Sequence, residues 1–167
     1  LSWKLDGLTI VLTYRDGQLF SALTRGNGEV GEDVTNNARV FANIPLTIPY
    51  KEELIIRGEA VIRYEDFERI NRLLPQEEKY KSPRNLCSGS VRQLNNKITK
   101  ERNVYFYGFA LVTSVDLGFQ WRSAQLQYLK DLGFTVVDHT IVTEATIEAE
   151  VARYKEQITS NPFASDG

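Results

Sequence analysis

The strongest constraint on the fold of this 167-residue chain is a hairpin signal near its start. Residues 8–14 (LTIVLTY) are aliphatic, β-branched and aromatic, which favours a strand, and residues 18–24 return with a similar character. Between them lies Asp16-Gly17, a pair that tolerates the positive φ angles of a two-residue turn. The sequence therefore predicts an antiparallel hairpin that brings Arg25, after the second strand, back to the neighbourhood of Lys4, before the first.

The remaining elements follow in no regular alternation. Strands are predicted at 53–62, 103–112, 134–137 and 139–142, and helices within 31–40, 65–74, 82–94, 123–133 and 144–158. Asp33 is the expected N-cap of the first helix, and Gly58 is expected to interrupt the strand over 53–62. The last helix carries Ile147, Val151, Tyr154 and Ile158 on one face. We predict an α+β fold, with mainly antiparallel sheets flanked by helices.

Composition excludes several classes of protein. With 42% apolar residues the chain can bury its own core, and 25% charged residues are typical of a globular protein. No apolar run approaches the roughly 18 residues of a membrane span, and no signal peptide is visible. A single cysteine, Cys87, cannot form an internal disulfide, which is consistent with the cytoplasm. With His139 as the one histidine, neither a zinc site nor a cysteine–histidine catalytic pair is expected.

Charge is unevenly distributed along the chain. Residues 79–102 contain seven basic residues and one acidic residue, a net charge of +6 in a chain whose total is −2. A basic strip in an acidic chain indicates a local anion site rather than a general coating of nucleic acid. A solvated surface face explains the strip equally well.

The stretch KLDG, residues 4–7, is the first candidate for chemistry. A lysine is nucleophilic only when its amine is neutral, which burial or a neighbouring cation favours. Trp3 and Leu5 would bury Lys4, and Asp6 lies on the same face of an extended backbone, where it could orient the amine or hold a ribose hydroxyl. Gly7 would allow close approach of a ligand. The alternative is a surface lysine at a strand edge, and the pattern alone is weak.

Two further segments place charges where they need an explanation. In RGNG, residues 25–28, the Arg25 guanidinium beside an amine suits a phosphate, although a glycine loop with a solvated arginine is the alternative. In Arg57-Gly58-Glu59 the charges stand in the middle of an apolar strand, where burial is costly unless they are paired or liganded. A functional site explains them, and so does a strand edge with outward charges.

The segment over 82–94 (SPRNLCSGSVRQL) could form a helix begun by a serine cap and Pro83. Arg84 and Arg92 are eight residues apart, slightly over two helical turns, so both could project toward one side. With Asn85 and two serines they would form a surface rich in phosphate donors.

Together these segments resemble the adenylation domain of bacterial NAD+-dependent DNA ligases. The motifs stand in the family's order: KLDG at 4–7, TRGNG at 24–28, GEDVT at 31–35, RGE at 57–59, SPRNLCSGSVRQL at 82–94 and a late DG at 166–167. The resemblance covers residues 1–167 and implies a nucleotidyltransferase (ATP-grasp-like) domain. Because Leu1 is not a natural start, we expect a fragment of a longer multidomain ligase.

The resemblance implies a reaction in which lysine attacks the α-phosphorus of NAD+, nicotinamide mononucleotide leaves, and AMP then passes to the 5′-phosphate of a DNA nick. It carries these roles over to matching positions: Lys4 as nucleophile, Asp6 as the acid beside it, Arg25 and Glu59 as nucleotide contacts, Phe109 near the adenine, Arg84 and Arg92 toward nucleotide and nick phosphates, and Asp166 as the acid of the late DG motif. Asp166 and Glu59 would hold Mg2+. The implied partners are NAD+, nicked double-stranded DNA and the remaining domains of the same chain, in the cytoplasm.

Some positions depart from the family pattern. Many members carry glutamate two residues before the lysine, where this chain has Ser2; Asn27 replaces an aspartate, and Ser82 replaces an asparagine. Two alternatives therefore stay open: an ATP-dependent ligase or capping-type nucleotidyltransferase, and an inactive nick-binding copy. The motifs following Arg25 and those around Arg84 argue against the first. The fragment alone is not expected to seal nicks.

Overall fold

The computed structural model describes residues 1–26, 31–112 and 116–167, so Asn27 and Gly28 of the RGNG segment lie outside the described residues. Four strands form one sheet in the order β2-β1-β3-β4, and every neighbouring pair is antiparallel. The strands are β1 (Leu8–Arg15), β2 (Gln18–Thr24), β3 (Leu54–Val61) and β4 (Tyr105–Leu111). The helices are α1 (Thr35–Ala38), α2 (Tyr64–Leu73), α3 (Pro83–Val91), α4 (Asn96–Glu101), α5 (Arg122–Asp131) and α6 (Ile147–Gln157), with a 3₁₀ turn at Gln76–Glu78. The predicted α+β class is confirmed.

The hairpin forms as its turn residues require. Asp16 and Gly17 have φ angles of 50° and 71°, so both central positions of the turn are left-handed. A register shift between Thr13 and Tyr14 moves the later pairing along by one residue. The Arg25 N–H donates to the Thr9 carbonyl at 3.1 Å, which fixes Arg25 beside the first residues of β1.

Alternation along β3 divides the sheet into two faces. Leu54, Ile56, Gly58 and Ala60 are buried on one face, and residues 55, 57 and 59 lie on the other and are half-buried. Gly58 does not interrupt the strand, contrary to prediction. A Cβ at Gly58 would lie 2.3 Å from the Phe106 ring, so glycine is required by close packing rather than by a break. We call the face with Gly58 the core face and the face with Glu59 the cleft face.

Helices α3 and α5 pack against the core face. Leu86, Cys87 and Val91 of α3 belong to the same buried cluster as Ile10, Ile56 and Phe106, and so does Leu129 of α5. The Ser82 hydroxyl accepts a hydrogen bond from the Asn85 N–H at 3.2 Å, which confirms the predicted serine cap of α3.

The first helix begins one residue later than Asp33 would set it. Its N-cap is Val34, so the prediction of Asp33 as N-cap is wrong. The Asp33 carboxylate still accepts hydrogen bonds from the Thr35 N–H and hydroxyl, at 2.9 and 2.6 Å. These bonds lower the pKa of Asp33 below its ordinary value.

The chain start is held between two distant segments. Residue 2 bridges His139, and Leu5 bridges Ser165 on the other side. The Lys4 N–H donates to the Gly167 carbonyl at 2.6 Å, and the Asp166 N–H donates to the Lys4 carbonyl at 3.0 Å. Strands predicted at 134–137 and 139–142 are therefore wrong, because these residues make isolated bridges rather than a continuous ladder.

Helix α6 confirms the last predicted helix but packs less than its pattern indicates. Tyr154 is buried and its ring lies 4.8 Å from that of Trp3, while Ile147 and Ile158 on the same face are 43% and 50% exposed. Within the described parts of the chain, no helix is both long and apolar enough to cross a bilayer.

Candidate active site

A cleft of about 460 Å³ opens beside the cleft face of the sheet, and residues from both ends of the chain line it. Its lining residues are Ser2, Trp3, Lys4, Leu5, Asp6, Thr9, Arg25, Glu59, Arg84, Phe109, Arg122, Leu126, Val137 and Asp166. Seven of the eight predicted site residues belong to this set, and Arg92 is the exception. The predicted convergence of Lys4 and Arg25 across the hairpin is therefore present.

Lys4 reaches the cleft from the segment that precedes β1. Its side chain is 74% exposed, so the expected burial among apolar neighbours is wrong. The Nζ atom instead lies 3.3 Å from Asp166 Oδ1. The late DG motif thus stands directly beside the KLDG motif, 162 residues away along the chain, because the backbones of the two segments pair.

Asp6 lines the cleft together with Lys4, as an extended backbone predicts. Its Oδ1 accepts a hydrogen bond from Arg84 Nη1 at 3.0 Å, across 78 positions of sequence. Arg84 stands in the first turn of α3, so this ion pair fixes the start of that helix at the rim of the cleft.

Glu59 is held by two hydrogen bonds on the cleft face. Oε1 accepts from the Gly7 N–H at 3.1 Å, and Oε2 accepts from the Thr9 hydroxyl at 2.9 Å. Burial raises the pKa of Glu59 above its ordinary value, although both hydrogen bonds and the Arg84 charge oppose the shift. The carboxylate is therefore rigidly placed with part of its surface toward the cleft.

Gly7 has a structural role that the sequence did not indicate. A Cβ at this position would lie 2.0 Å from the Ala60 carbonyl oxygen, so glycine lets this segment approach β3. The expectation that Gly7 makes room for a ligand is corrected: the close neighbour is the protein's own backbone.

Arg92 does not share a side of α3 with Arg84, contrary to prediction. Eight residues correspond to about 12 Å of rise and a rotation of about 80° beyond two turns, and Arg92 also follows the last helical residue. Its Nε lies 2.5 Å from Glu32 Oε2, and Nη1 contacts Ser88. Arg92 lines a separate depression with Glu32, outside the cleft.

Five of the six motifs contribute side chains to this one cleft, the exception being GEDVT at 31–35. Comparison with known proteins agrees with them. The sequence matches the NAD-dependent DNA ligase adenylation domain over residues 1–167. The chain belongs to this family.

Curated relatives support the assignment. The DNA ligase of Lachnoclostridium phytofermentans is 60% identical and that of Ruminiclostridium cellulolyticum 59%, each over the whole of this chain. The DNA ligase of Campylobacter lari is 41% identical over 98% of the chain. The adenylation domain spans about a quarter, 26%, of the length of each of these relatives.

Four lining residues of the adenylation domain were not predicted from the sequence: Thr9, Arg122, Leu126 and Val137. Arg122 and Leu126 stand one helical turn apart on α5, and the Val137 N–H donates to the Gly108 carbonyl at 3.0 Å. Only the packing of α5 and residues 134–137 against β4 brings the last three to the cleft, and no local motif marks that contact.

The acidic residues of the cleft differ in how well they could hold a metal ion. Within 1–26, 31–112 and 116–167, no group of three or more His, Cys, Asp or Glu side chains could hold a metal ion. Both Glu59 oxygens already accept hydrogen bonds from the protein, whereas Asp166 is half exposed with one oxygen near Lys4. Mg2+ is commonly bound by one or two carboxylates together with substrate phosphates, and Asp166 fits that arrangement better than Glu59.

The single cysteine and histidine have separate partners. Cys87 is buried, its thiol donates to the Ala60 carbonyl at 3.2 Å, and burial raises the pKa of the thiol above its ordinary value. His139 Nδ1 lies 3.0 Å from the Val137 carbonyl. These contacts give Cys87 the environment of an inert core residue.

Proposed function

We propose that residues 1–167 form the nucleotidyltransferase (ATP-grasp-like) domain of a longer NAD+-dependent DNA ligase. One observation carries the proposal: side chains from eight separate segments line a single cleft, with an amine, three carboxylates and three arginines among them. Phosphoryl-type transfer needs little more than positioning and charge stabilisation, which this set of groups supplies.

In the first step, Lys4 Nζ attacks the α-phosphorus of NAD+ once the amine has lost its proton. A phosphorus–nitrogen bond forms, the bridging phosphorus–oxygen bond breaks, and nicotinamide mononucleotide leaves with the electron pair on its phosphate. Asp166, 3.3 Å from Nζ, orients the amine and is the nearest carboxylate for its proton. Exposure of Lys4 leaves room for the dinucleotide to approach.

The other side chains bind and orient the nucleotide. Arg25 and Arg84 offer guanidinium groups to the phosphates, and Glu59 accepts from a ribose hydroxyl with the lone pairs that Gly7 and Thr9 leave open. Phe109 contributes a flat apolar surface for the adenine. Asp6 holds Arg84 in place through their 3.0 Å ion pair.

Two further steps complete sealing in the proposed scheme. An oxygen of the 5′-phosphate at the nick attacks the lysine-bound phosphorus, the phosphorus–nitrogen bond breaks, and the amine of Lys4 is restored. The 3′-hydroxyl then attacks the 5′-phosphorus and AMP leaves. We assign Arg84 to phosphates at the cleft rim, and Arg92 to nick phosphates outside it.

We further propose that Asp166 supplies the protein ligand for Mg2+, which would neutralise charge on the transferring phosphate. Glu59 is left out of this metal site because hydrogen bonds already engage both its oxygens. The basic strip over 79–102 and the remaining domains of the chain would hold nicked double-stranded DNA. The cytoplasm is the compartment where such a substrate is found.

The test uses the full-length protein that contains this chain. It is incubated separately with NAD+ and with ATP, and the mass gain of one AMP and the release of nicotinamide mononucleotide are measured. A nicked duplex with a labelled 5′-phosphate is then added. AMP transfer from NAD+ followed by sealing supports the proposal.

Two other results would replace it. Labelling by ATP alone would assign the protein to the ATP-dependent ligases or capping-type enzymes. Binding of nicked DNA without any labelling would identify an inactive copy, a reading favoured by the neutral side chain of Ser2 in the cleft.

A further inference from the structure

Arg57 stands on the cleft face of the sheet, and no role in the scheme above uses it. It lies on β3 two residues before Glu59, so the two side chains emerge on the same face about 7 Å apart. Its cross-strand neighbours are Val11 on β1 and Ala110 on β4, both apolar.

Among the described residues, none accepts a hydrogen bond from the half-buried Arg57 side chain. The Nε atom is buried without a hydrogen-bond partner, and no ion pair joins Arg57 to another residue of the described ranges. The acid on the same face, Glu59, accepts from Gly7 and Thr9 instead. Arginine stays charged in proteins, and a partly buried guanidinium without an acceptor lowers the stability of the fold.

The strand-edge explanation for this charge is excluded, because β3 lies inside the sheet, between β1 and β4. The side chain is half-buried, and Nε is the atom of the guanidinium that is fully buried without a partner. Arg57 is not among the residues that line the cleft, but it shares a sheet face with Glu59, which does, and the accessible end of its side chain is open to an acceptor from a ligand.

We propose that Arg57 binds a phosphate group of the substrates, beside the ribose site of Glu59. This inference rests on the proposed function, because that function brings phosphates to the cleft. The planar guanidinium fork matches two phosphate oxygens and offers Nη1 and Nη2 for them. The phosphate comes either from the dinucleotide or from the 5′ end of the nick, and the experiment distinguishes the two.

The test compares R57M, R57K and the control R72M in the full-length protein. Met keeps much of the aliphatic stem of Arg57 without its charge, and Arg72 is an exposed arginine of α2 away from the cleft. Three quantities are measured: the Tm, the rate of Lys4 adenylation by NAD+, and single-turnover transfer of AMP from preformed lysine–AMP to a nicked duplex.

A phosphate-binding role predicts that R57M has an unchanged or higher Tm, because an unpaired charge is removed. It also predicts a loss of about tenfold or more in one transfer step, as expected for a charged hydrogen-bonded contact. Loss in the NAD+ step identifies a dinucleotide phosphate; loss only in the second step identifies the nick phosphate. R57K should fall between R57M and wild type, since it keeps the charge without the fork.

Two results would overturn the inference. One is R57M transferring AMP within twofold of R72M in both steps. The other is a Tm for R57M several degrees below that of R72M, which would make Arg57 a structural residue. Failure of the proposed function is separate: the wild-type protein would not become labelled at all. In that case thermal stabilisation by inorganic tripolyphosphate, equal in wild type and R57M, would also reject Arg57 as a phosphate ligand.

Discussion

The two faces of the sheet use the same strands for different purposes. On the core face, Ile10, Leu12, Ile56 and Phe106 are almost completely buried. On the cleft face the same strands carry Thr9, Arg57, Glu59 and Phe109. Burial alone explains the first set, because apolar area removed from water stabilises the fold. The second set contains charges that burial penalises, so its composition indicates a ligand rather than stability.

Glu59 and Arg57 sharpen this contrast within the cleft face itself. The protein satisfies Glu59 with two hydrogen bonds, whereas it leaves the buried Nε of Arg57 without a partner. A side chain whose hydrogen bonds the protein already supplies, such as Glu59, is positioned before the ligand binds. A side chain without a hydrogen-bond partner in the protein, such as Arg57, gains its acceptor only when the ligand binds. Substitutions on the cleft face should therefore change activity more than stability, and substitutions on the core face should do the reverse.

The largest effect is expected from Lys4→Arg in the full-length protein. Arginine keeps the charge but supplies no neutral amine, so AMP labelling from NAD+ should fall at least about 1000-fold. The Tm should stay within about 2 °C of wild type, because the lysine side chain is largely exposed. Intact-protein mass spectrometry and a thermal melt measure the two quantities, and labelling of Lys4→Arg at a wild-type rate would remove Lys4 from the mechanism.

On the core face, Phe106→Ala should lower the free energy of unfolding by about 3–5 kcal/mol, since the ring is fully buried. The matched control is Leu73→Ala on α2, whose side chain is 79% exposed and whose change should stay within about 0.5 kcal/mol. Urea unfolding measures both. Similar losses for the two variants would show that the core face is wrongly assigned.

Gly58→Ala should destabilise the protein by about 1–3 kcal/mol, because its Cβ would meet the Phe106 ring at 2.3 Å. Gly108→Ala, on the facing position of β4, is the control. Its Cβ would find its nearest atoms at 3.6 Å, an ordinary contact, and a change within about 0.5 kcal/mol is expected. Equal effects in urea unfolding would contradict the close packing described at Gly58.

The smallest effect is expected in the pH dependence of Glu59→Gln. Burial raises the pKa of Glu59 in the folded state, so the folded protein binds more protons than the unfolded chain above the ordinary value of 4.5. As the pH rises from 4.5 to the raised pKa of Glu59, the free energy of unfolding of the wild type should therefore decrease relative to that of Glu59→Gln. Above the raised pKa the difference between the two proteins should stay constant. Urea unfolding between pH 4 and 8 gives the difference in free energy of unfolding between the two proteins as a function of pH. A slope of the opposite sign would show that the pKa of Glu59 is lowered in the folded protein rather than raised.

Local patterns predicted much of this fold. Asp16-Gly17 marked the hairpin because turn conformation depends on residues that are adjacent in sequence, and Ser82 marked the start of α3 for the same reason. Residues 134–142 were predicted as strands from composition, yet their pairing depends on Gly108 and Ser2, which are distant in sequence. Strand pairing is decided by such long-range contacts more than by local propensity.

The sequence predicted which residues belong to the site better than it predicted which of them contact one another. Motif order pointed to Lys4 and Asp166, but not to the pairing that leaves Lys4 exposed beside Asp166. Spacing placed Arg92 with Arg84, whereas Glu32, 60 positions earlier, pairs with Arg92 outside the cleft. Arg122 had no motif at all, because only the packing of α5 on β4 brings it to the cleft.

The most direct measurement maps the position of the AMP group. The full-length protein is incubated with NAD+, digested, and its peptides are analysed by tandem mass spectrometry. We expect one AMP on the peptide that contains Lys4, attached through the lysine nitrogen and lost when nicked DNA is added. AMP on another residue, or sealing from NAD+ without any modification of Lys4, would contradict the assignment of the cleft.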